Sequence, residues 1–407
     1  MAEITIVSLL QFFKGITAFF EVDPLYSLVR LLLIIMGVVL IWLGYKHVLE
    51  PLIMVPMGLG MTLVNAGTLM LPGERLGNLF VNPIAEEPSE IVEALQIYFL
   101  QPFYTLTFTN NLIACLIFLG VGAMTDIEYL IARPLLSMAL AIAAELGTLV
   151  TFPIAVALGF NFKEAAAIAI IGGADGPMVI YTSIMLAKHL FVIITVVAYL
   201  YLSIIYMLYP FLIKAMVPKR LRGIEMPPLY EIQRITPREK FIFTIALSTV
   251  LCLLFPVAAP LFACFFLGVA IKEINIPRYK EVADLILSGS TMFLGFVLGC
   301  LLSADVVLNP KVSLIALLGI IAIILSGVGG LAAGLLAYKI SKGRVNPLVG
   351  VAAVSCIPST AKIAQYSAKE ANPMAMILPH AMGASVGGVI TTGILAGFYI
   401  TICGLLG

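Results

Sequence analysis

The sequence IIGGADGP at residues 170–177 interrupts a strongly apolar segment with three glycines, a proline and one carboxylate. Apolar residues run up to this stretch from Ala165 and continue after it to Leu186. Glycine and proline do not continue a helix, so we expect the backbone to unwind here and to expose its polar groups. Inside a membrane, an unwound backbone is tolerated only where it is packed in protein or lines a hydrated cavity.

Asp175 lies in the middle of this break. A carboxylate at membrane depth is energetically unfavourable, and such groups generally mark substrate or ion pathways. The simpler interpretation is structural, because Asp is a good N-cap for the half-helix that follows. A serine would cap that helix without a charge, so the functional interpretation is favoured.

The composition is that of an integral membrane protein built of helices. Of the 407 residues, 61% are hydrophobic and 11% are charged, whereas soluble domains average about 25% charged residues. The formal net charge of +1 gives no reason to expect a nucleic-acid partner. The six cysteines are scattered through apolar spans without a CxxC pair, so we interpret them as small buried hydrophobic residues.

Apolar segments of membrane-spanning length, about 17 to 25 residues, follow one another along the chain. The first, residues 4–22, contains Lys14 and either crosses the membrane or lies along its interface. A basic loop at 218–240 separates the remaining segments into two series. The first series is 26–49, 51–70, 100–124, 134–158, the interrupted stretch 163–187 and 189–217; the second is 241–255, 257–271, 281–302, 312–338, the interrupted stretch 345–370 and 373–405.

The two series share an order of sequence features, although chance similarity between apolar helices would also produce weak matches. Both contain the tripeptide Phe-Leu-Gly, at 118–120 and at 293–295. Gly176-Pro177 in the first interrupted stretch corresponds to Ile357-Pro358 in the second. If each interrupted stretch re-enters without crossing, each series crosses the membrane an odd number of times, and the second repeat is inverted relative to the first.

Charge supports this topology. Lys and Arg are enriched in cytoplasmic loops, which places the basic loop 218–240 inside the cell. The acidic loop 71–95 then lies outside. The basic residues of the loop 218–240 are Lys219, Arg220, Arg222, Arg234, Arg238 and Lys240.

The sequence therefore predicts an all-α integral membrane protein with about ten or eleven transmembrane helices in two inverted repeats, each with an interrupted or re-entrant helical segment. The predicted divisions are an N-terminal membrane or interfacial helix at 1–25, a first membrane repeat at 26–217, a cytoplasmic linker at 218–240 and a second inverted repeat at 241–407. Interrupted helices that meet near the midplane are typical of ion-coupled transporters.

Oxygen-bearing side chains accompany both interrupted stretches. The second one, SCIPSTAK at 355–362, offers hydroxyls and a lysine, and the last helix adds Ser385, Thr391 and Thr392. A hard cation such as sodium prefers oxygen ligands, by analogy with calcium and magnesium. The alternatives are that the small residues serve helix packing and that the hydroxyls bond their own backbone.

Two further residues have open interpretations at this stage. Tyr201 offers a phenol oxygen or a proton, or is an aromatic residue packed in the bundle. Glu145 lies in an apolar helix, where it pairs with Lys362 or serves a structural role.

Three segments carry a resemblance to a known family. GGADGPMVIYTS at 172–183, AYLYLS at 198–203 and HAMG at 380–383 resemble the beta subunit of the sodium-pumping biotin-dependent decarboxylases, and the similarity spans nearly the whole chain. That family includes the oxaloacetate, methylmalonyl-CoA and glutaconyl-CoA decarboxylase pumps. The resemblance implies that carboxybiotin, carried by a partner, is decarboxylated here, that a proton is consumed and that sodium ions are pumped outward.

The resemblance also assigns roles to particular residues. Asp175 matches the essential aspartate of the family, and Tyr201 matches its functional tyrosine. The last helix of the family is similar to HAMGPNVAGVIGS, whereas this chain has HAMGASVGGVITT, so Ser385 replaces the usual asparagine. A family pattern like FPMAAR is replaced at 357–362 by IPSTAK, which keeps oxygen donors.

On this basis we expect Asp175 and Tyr201 to be catalytic and Ser359 and Lys362 to bind the biotin group. The expected sodium ligands are Asp175, Ser385, Gly387, Thr391 and Thr392.

The resemblance implies an assembly in the cell inner (plasma) membrane with a carboxyltransferase alpha subunit, a biotin carrier protein and a small gamma/delta-type membrane subunit, and a homo-oligomer. The biotin-acceptor motif Ala-Met-Lys-Met does not occur in this chain, so biotin must be attached to a partner. The alternative function is a sodium-coupled secondary transporter or sodium/proton antiporter without an enzymatic step. Co-purification with a biotinylated protein distinguishes the two.

Overall fold

The computed structural model describes residues 14–19, 22–71, 75–83, 87–227 and 235–406, and these residues are predominantly α-helical. The strands within these residues form one short antiparallel hairpin, in which Leu69–Leu71 pairs with Arg75–Gly77. The predicted all-α fold is confirmed, with this hairpin as a local exception in the loop predicted to be extracellular.

Seven helices in the described part of the chain are long and apolar enough to cross a membrane. The protein is therefore a multi-pass membrane protein, as predicted. The seven are Pro24–Tyr45, Pro134–Ala157, Lys188–Met216, Pro256–Ile274, Pro277–Leu301, Lys311–Ile340 and Leu378–Gly404, and an eighth results if the bent pair Gln101–Phe108 and Leu112–Met124 is counted as one span.

The total of about ten or eleven crossings and the inverted relation of the repeats stay predictions. The apolar segment 51–70 forms the shorter helix Pro51–Ala66. Most of the predicted first segment, 4–22, lies outside the described residues, which contain only the short helix Lys14–Thr17 from its middle.

The chain forms two compact units, one comprising Met1–Leu112 with Ser290–Ser313 and the other Ile113–Gly289 with Leu314–Gly407. The division at the loop 218–240 was predicted from sequence repeats, and it stays a prediction.

A buried arginine joins elements of the first unit. Arg30 is fully buried, and its Nε and Nη2 donate hydrogen bonds to the carbonyl oxygen of Asn65 at 3.1 and 3.0 Å. The Asn65 amide in turn donates to the carbonyl of Leu302 at 2.8 Å. These bonds satisfy polar groups that would otherwise be costly in an apolar interior.

The second unit contains the interrupted stretches. Its helices that form the candidate site are labelled α1 (Pro134–Ala144), α2 (Leu146–Ala157), α3 (Phe162–Ala169), α4 (Gly176–Leu186), α5 (Phe191–Met216), α6 (Lys311–Ile340), α7 (Leu348–Ala352), α8 (Ser359–Ala371) and α9 (Leu378–Leu406). The other described helices of the chain, besides those already given, are Pro88–Ile97, Glu128–Ala132, Lys219–Arg222, Pro237–Leu254, Ala259–Ile274 and Ala304–Val307, with short 3-10 turns at Lys188–Leu190 and Pro256–Ala258.

Local sequence signals explain where several helices begin. Proline occupies the first position of α1 and of the helices at Pro24, Pro51 and Pro237. Proline is favourable there because its missing N–H would have no partner within the helix, and its φ angle suits the first turn. The interrupted stretches 163–187 and 345–370 each divide into two helices, as the glycines and prolines predict.

Candidate functional site

The first break is formed between two well-capped half-helices. Asn161 and Glu164 form a capping box at the start of α3, in which each side chain accepts from the other residue's backbone N–H. After α3 the chain makes a 3-10 turn over Ile170–Gly173, and Ala174 then adopts a left-handed conformation with φ of 56°. This turn redirects the chain so that α4 starts afresh at Gly176.

Asp175 is the N-cap of α4. Its Oδ1 accepts a hydrogen bond from the Met178 amide at 3.2 Å, and the residue is 4% exposed. Asp175 therefore does cap α4, as the structural interpretation of the sequence predicted. The cap uses only one of the two carboxylate oxygens. The Ser355 side chain of the second break also interacts with this carboxylate. Asp175 is therefore held at the point where the breaks meet.

The two interrupted stretches are in direct contact. Helix α7 ends at Ala352, and the chain is irregular until α8 begins at Ser359. Within this gap the amide and the hydroxyl of Ser355 both donate to the carbonyl oxygen of Gly173, at 3.2 and 2.6 Å. A carbonyl that the first break frees from helical bonding is thus bound by the second break.

One side of α9 faces the second break. Ser385 donates to the Ala352 carbonyl, and Thr392 Oγ1 lies 3.0 Å from Ser355 Oγ. Gly388 lies between Ser385 and Thr392 in α9 and packs closely against the second break, so that a Cβ on it would lie 3.1 Å from Ser355 Cβ. Since residues three and four apart share a helix face, Ser385, Gly388 and Thr392 form one surface of α9.

Two of the predicted sodium ligands lie on another side of α9. Thr391 donates its hydroxyl to the carbonyl of Gly387 in its own helix at 2.8 Å. Gly387 faces α1, where an added Cβ would lie 2.9 Å from Ser137 Oγ. The structure therefore brings Asp175 and Thr392 together through Ser355 and Gly173, whereas Thr391 and Gly387 contact different partners. Their roles as sodium ligands stay predictions.

Glu145 joins the same group of residues, which the sequence did not indicate. It lies between α1 and α2 and is 2% exposed. Thr148 donates to its Oε2 at 2.6 Å, and Thr392 donates to its Oε1. Of the two interpretations from sequence, pairing with Lys362 is not what the structure has, because Lys362 is exposed and the carboxylate binds two threonines.

Helix α5 presents two tyrosines in different directions. Tyr201 donates its hydroxyl to the Ala316 carbonyl of α6 at 2.7 Å and packs against Gly319. Tyr199 instead lies against Gly176, next to Asp175, with whose carboxylate it interacts electrostatically. The Tyr199 hydroxyl is buried without a hydrogen-bond partner among the described residues. Tyr199 is a second residue that sequence reasoning missed.

The residues expected to bind biotin are in the first turn of α8. Ser359 is half-buried and accepts a hydrogen bond from the Tyr206 hydroxyl of α5 at 2.9 Å. Lys362 is exposed, so its amino group is available to an anionic group that approaches this end of α8. Their roles stay predictions.

The chemistry of this arrangement favours a cation. Two carboxylates, three hydroxyls and a backbone carbonyl converge; they belong to Asp175, Glu145, Ser355, Thr392, Thr148 and Gly173. Buried charges are strongly unfavourable unless they are paired. Within the described residues neither carboxylate forms an ion pair with a Lys, Arg or His side chain. Oxygen ligands and net negative charge are what a hard cation requires.

Comparisons with known proteins agree with this chemistry. The sequence profile of the family described as Na+-transporting oxaloacetate decarboxylase beta subunit matches residues 29–403. The chain is 49% identical over 399 residues to the carboxybiotin decarboxylase of Malonomonas rubra, with 98% of this chain and 99% of that protein covered. It is 34% identical over 368 residues to the methylmalonyl-CoA decarboxylase subunit beta of Veillonella parvula, covering 90% and 91% of the two chains.

A third relative is the oxaloacetate decarboxylase beta chain of Haemophilus ducreyi, which is 32% identical over 416 residues, with 92% of this chain and 95% of that one covered. These matches extend over nearly the full length of each relative, so they concern the whole membrane subunit. The chain therefore belongs to the family of Na+-transporting oxaloacetate decarboxylase beta subunits, which confirms the family predicted from its sequence.

Proposed function

We propose that this chain decarboxylates carboxybiotin presented by a partner protein and couples that reaction to outward sodium transport with consumption of a proton. The single observation that carries the proposal is the contact between the two breaks, where Ser355 binds Gly173 two residues from the buried Asp175. A transporter that alternates its access needs one ion site shared by two elements that can move apart.

The chemical step explains why a proton is consumed. When the bond between the biotin nitrogen and the carboxyl carbon breaks, carbon dioxide leaves, and the electron pair that stays on nitrogen takes up a proton. Tyr201 is the proposed proton donor on the strength of its match to the family pattern. Ser359 and Lys362, in the first turn of α8, are the proposed residues that receive the carboxybiotin. A lysine there would attract the negative carboxylate.

Sodium is the proposed ion at Asp175. The site offers carboxylate, hydroxyl and carbonyl oxygens. Among the expected ligands on α9, Thr392 contacts Ser355 of the second break, which in turn binds Gly173 of the first. Moving one charge against about 100 mV requires about 2.3 kcal/mol. A pump therefore loses the energy of decarboxylation unless the reaction waits until sodium is bound.

The proposed assembly contains a carboxyltransferase alpha subunit, a biotin carrier protein and a small gamma/delta-type membrane subunit, with several copies of this chain. Family membership supports the existence of partners, because the family is described as a beta subunit and two of the relatives are named as a beta subunit or chain. The carboxylic acid or acyl-CoA consumed by the complex is determined by the transferase and not by this chain.

Purification tests the proposal. The complex is solubilised from its native membrane and captured on monomeric avidin, and the captured subunits are identified by mass spectrometry. We expect this chain to be retained together with a biotinylated protein and a carboxyltransferase. The same preparation should release carbon dioxide from carboxybiotin. A chain that carries sodium in vesicles, yet binds no biotinylated protein and releases no carbon dioxide, would be a secondary transporter instead.

A further inference from the structure

Glu145 lies among the converging oxygens of the candidate site, but the proposed function assigns it no role, although it is one of the most deeply buried charged residues in the described part of the chain. It is fully enclosed where α1 meets α2, at 2% exposure. Two hydroxyl groups connect it with the first break, because Thr392 contacts its carboxylate and Ser355 links Thr392 to Gly173. The Thr148 hydroxyl contacts the same carboxylate from α2.

The hydroxyl protons do not suffice for these contacts. Thr148, Thr392 and Ser355 supply one proton each. They take part in four close oxygen–oxygen contacts, which are Thr148 with Glu145, Thr392 with Glu145, Ser355 with Gly173 and Ser355 with Thr392. At least one contact therefore brings two lone pairs together unless a further proton or a cation lies between them.

The charge balance leads to the same conclusion. Glu145 and Asp175 are close enough for their carboxylates to repel each other. In the described ranges no basic side chain forms an ion pair with either of them. Two like charges in an apolar interior are unfavourable unless a cation or a proton compensates them.

Tyr199 provides an independent observation. It is 3% exposed, and its hydroxyl, which lies next to Gly176 and Asp175, has no hydrogen-bond partner in the part of the chain that the structure describes. An unpaired buried hydroxyl is unfavourable, because it loses its bonds to water without gaining any in the protein. Its presence beside the carboxylates indicates that the site contains a further polar partner when the protein functions.

We propose that Glu145 is the second anionic ligand of the sodium site and binds the ion together with Thr392, Ser355 and Asp175. The ion lies between the α1–α2 junction, both breaks and α9, so its entry and exit change the contacts of four segments. This inference rests on the proposed function only in naming sodium as the ion. It adds a residue that neither the sequence pattern nor the family resemblance indicated.

Sodium binding to the purified complex tests the role of Glu145 directly. Equilibrium binding of radioactive sodium is compared for the wild type, Glu145→Gln and Asp175→Asn, in a buffer whose cation is choline. Glutamine keeps the shape, and its one amide oxygen can accept one of the two threonine hydroxyls, but its amide nitrogen only donates and it lacks the charge. We expect Glu145→Gln to weaken sodium binding at least about tenfold, because a buried contact with a charged group is worth more than one factor of ten in affinity.

Glu164→Gln is the matched control. Glu164 is also a buried carboxylate of this unit, at 5% exposure, but it caps α3 and binds His189. Glutamine still completes a capping box, so sodium affinity should equal that of the wild type. Thr392→Val should weaken binding and Thr392→Ser should restore it, since serine returns the hydroxyl. All variants are first checked for intact assembly by size-exclusion chromatography.

The outcomes separate the two proposals. If the wild type binds sodium, Asp175→Asn does not, and Glu145→Gln binds it as tightly as the wild type, Glu145 is not a ligand and this inference is wrong. If the assembled wild-type complex binds no sodium at all, the proposed function itself fails. If Glu164→Gln weakens sodium binding as much as Glu145→Gln does, the weakening follows from the loss of any buried charge and not from a lost ligand. That result would also contradict the inference.

Discussion

Asp175 combines a helix cap with a charge that has no basic partner in the described part of the chain. The cap fixes the carboxylate through the Met178 amide, and Ser355 reaches it from the other break. Because the cap holds the side chain without neutralising it, the site is preorganised for an incoming cation. This property separates Asp175 from an ordinary capping residue, for which the charge would only be a disadvantage.

Replacing Asp175 with Asn tests the charge separately from the cap. Asn is as good an N-cap as Asp, so α4 should form and the complex should assemble in normal amounts. Without the charge, sodium-dependent decarboxylation should fall by at least about a hundredfold, the lower end of the range for a side chain that takes part in proton transfer. Decarboxylation rate and sodium uptake are measured on equal amounts of complex. Near-normal sodium-dependent turnover would exclude the proposed role of Asp175.

The two tyrosines of α5 give a paired prediction. Tyr201→Phe removes the bond to the Ala316 carbonyl and should lower stability by about 1 kcal/mol. It should also slow proton delivery while sodium affinity changes little. In sodium-free buffer, Tyr199→Phe removes a hydroxyl without a partner in the described residues, so stability should stay equal or rise.

Thermal unfolding in detergent, sodium binding and single-turnover decarboxylation distinguish the two tyrosine variants. Unchanged decarboxylation in Tyr201→Phe would remove its catalytic role. A marked loss of stability in Tyr199→Phe without sodium would mean that its hydroxyl has a partner within the folded protein, and its unpaired state would then not indicate a bound ion.

At the scale of secondary-structure elements, the contact between α9 and the second break depends on a glycine. A Cβ on Gly388 would clash with the Ala353 carbonyl and approach Ser355. This close approach is what brings the Thr392 hydroxyl within reach of both Ser355 and Glu145. Small residues permit such contacts between helices in membranes.

Gly388→Ala should therefore destabilise the protein by about 1–3 kcal/mol, as overpacking of a tight interface generally does, and should reduce sodium affinity. Gly404→Ala on the same helix is the control, because a Cβ there meets no atom within 4 Å. Thermal unfolding and sodium binding are measured for both. Equal effects of the two substitutions would contradict the packing role assigned to Gly388.

The sequence predicted these elements unevenly, for physical reasons. Both interrupted stretches were predictable because glycine and proline act locally on the backbone. The break between α1 and α2 at Glu145 was not predictable, since the neighbouring alanines and leucine favour a helix. Beside this break, the Gly147 amide donates a hydrogen bond to the Ser326 hydroxyl of α6, and the Thr148 hydroxyl donates to Glu145. The bond to Ser326 is a tertiary contact that no local sequence pattern encodes.

Side-chain direction was also beyond the sequence. Side chains two residues apart on a helix are rotated by about 200° around its axis, so Tyr199 and Tyr201 point to opposite sides of α5. Only the packing of α5 against α4 and α6 decides which of them lies beside Asp175. The same uncertainty applied to Thr391 and Thr392 on α9, of which the structure turns Thr392 toward the break.

At the scale of the whole molecule, the predicted orientation can be tested by labelling. The loop 218–240 is predicted to be cytoplasmic and the loop 71–95 extracellular, from the distribution of Lys and Arg. Single cysteines at the exposed positions Lys219 and Val92 report the two sides. The six native cysteines are free thiols that are buried or half-buried, so their reaction with a membrane-impermeant maleimide should be slow.

We expect the Lys219→Cys variant to be labelled in inverted vesicles and the Val92→Cys variant in right-side-out vesicles. Labelling in the opposite sense would reverse the orientation. Labelling of both from the same side would contradict the odd number of crossings on which the inverted repeats depend.

The central claim is that decarboxylation of carboxybiotin takes place only while sodium occupies the site at Asp175. The most direct measurement is carbon dioxide release from carboxybiotin by the purified complex, with and without sodium, alongside sodium uptake into inverted vesicles that contain the same complex. We predict that carbon dioxide release requires sodium, that it parallels uptake as sodium is varied, and that Asp175→Asn abolishes both. Fast carbon dioxide release by the wild type in the absence of sodium would contradict the claim, because the chemical step would then proceed without the ion that it is proposed to move.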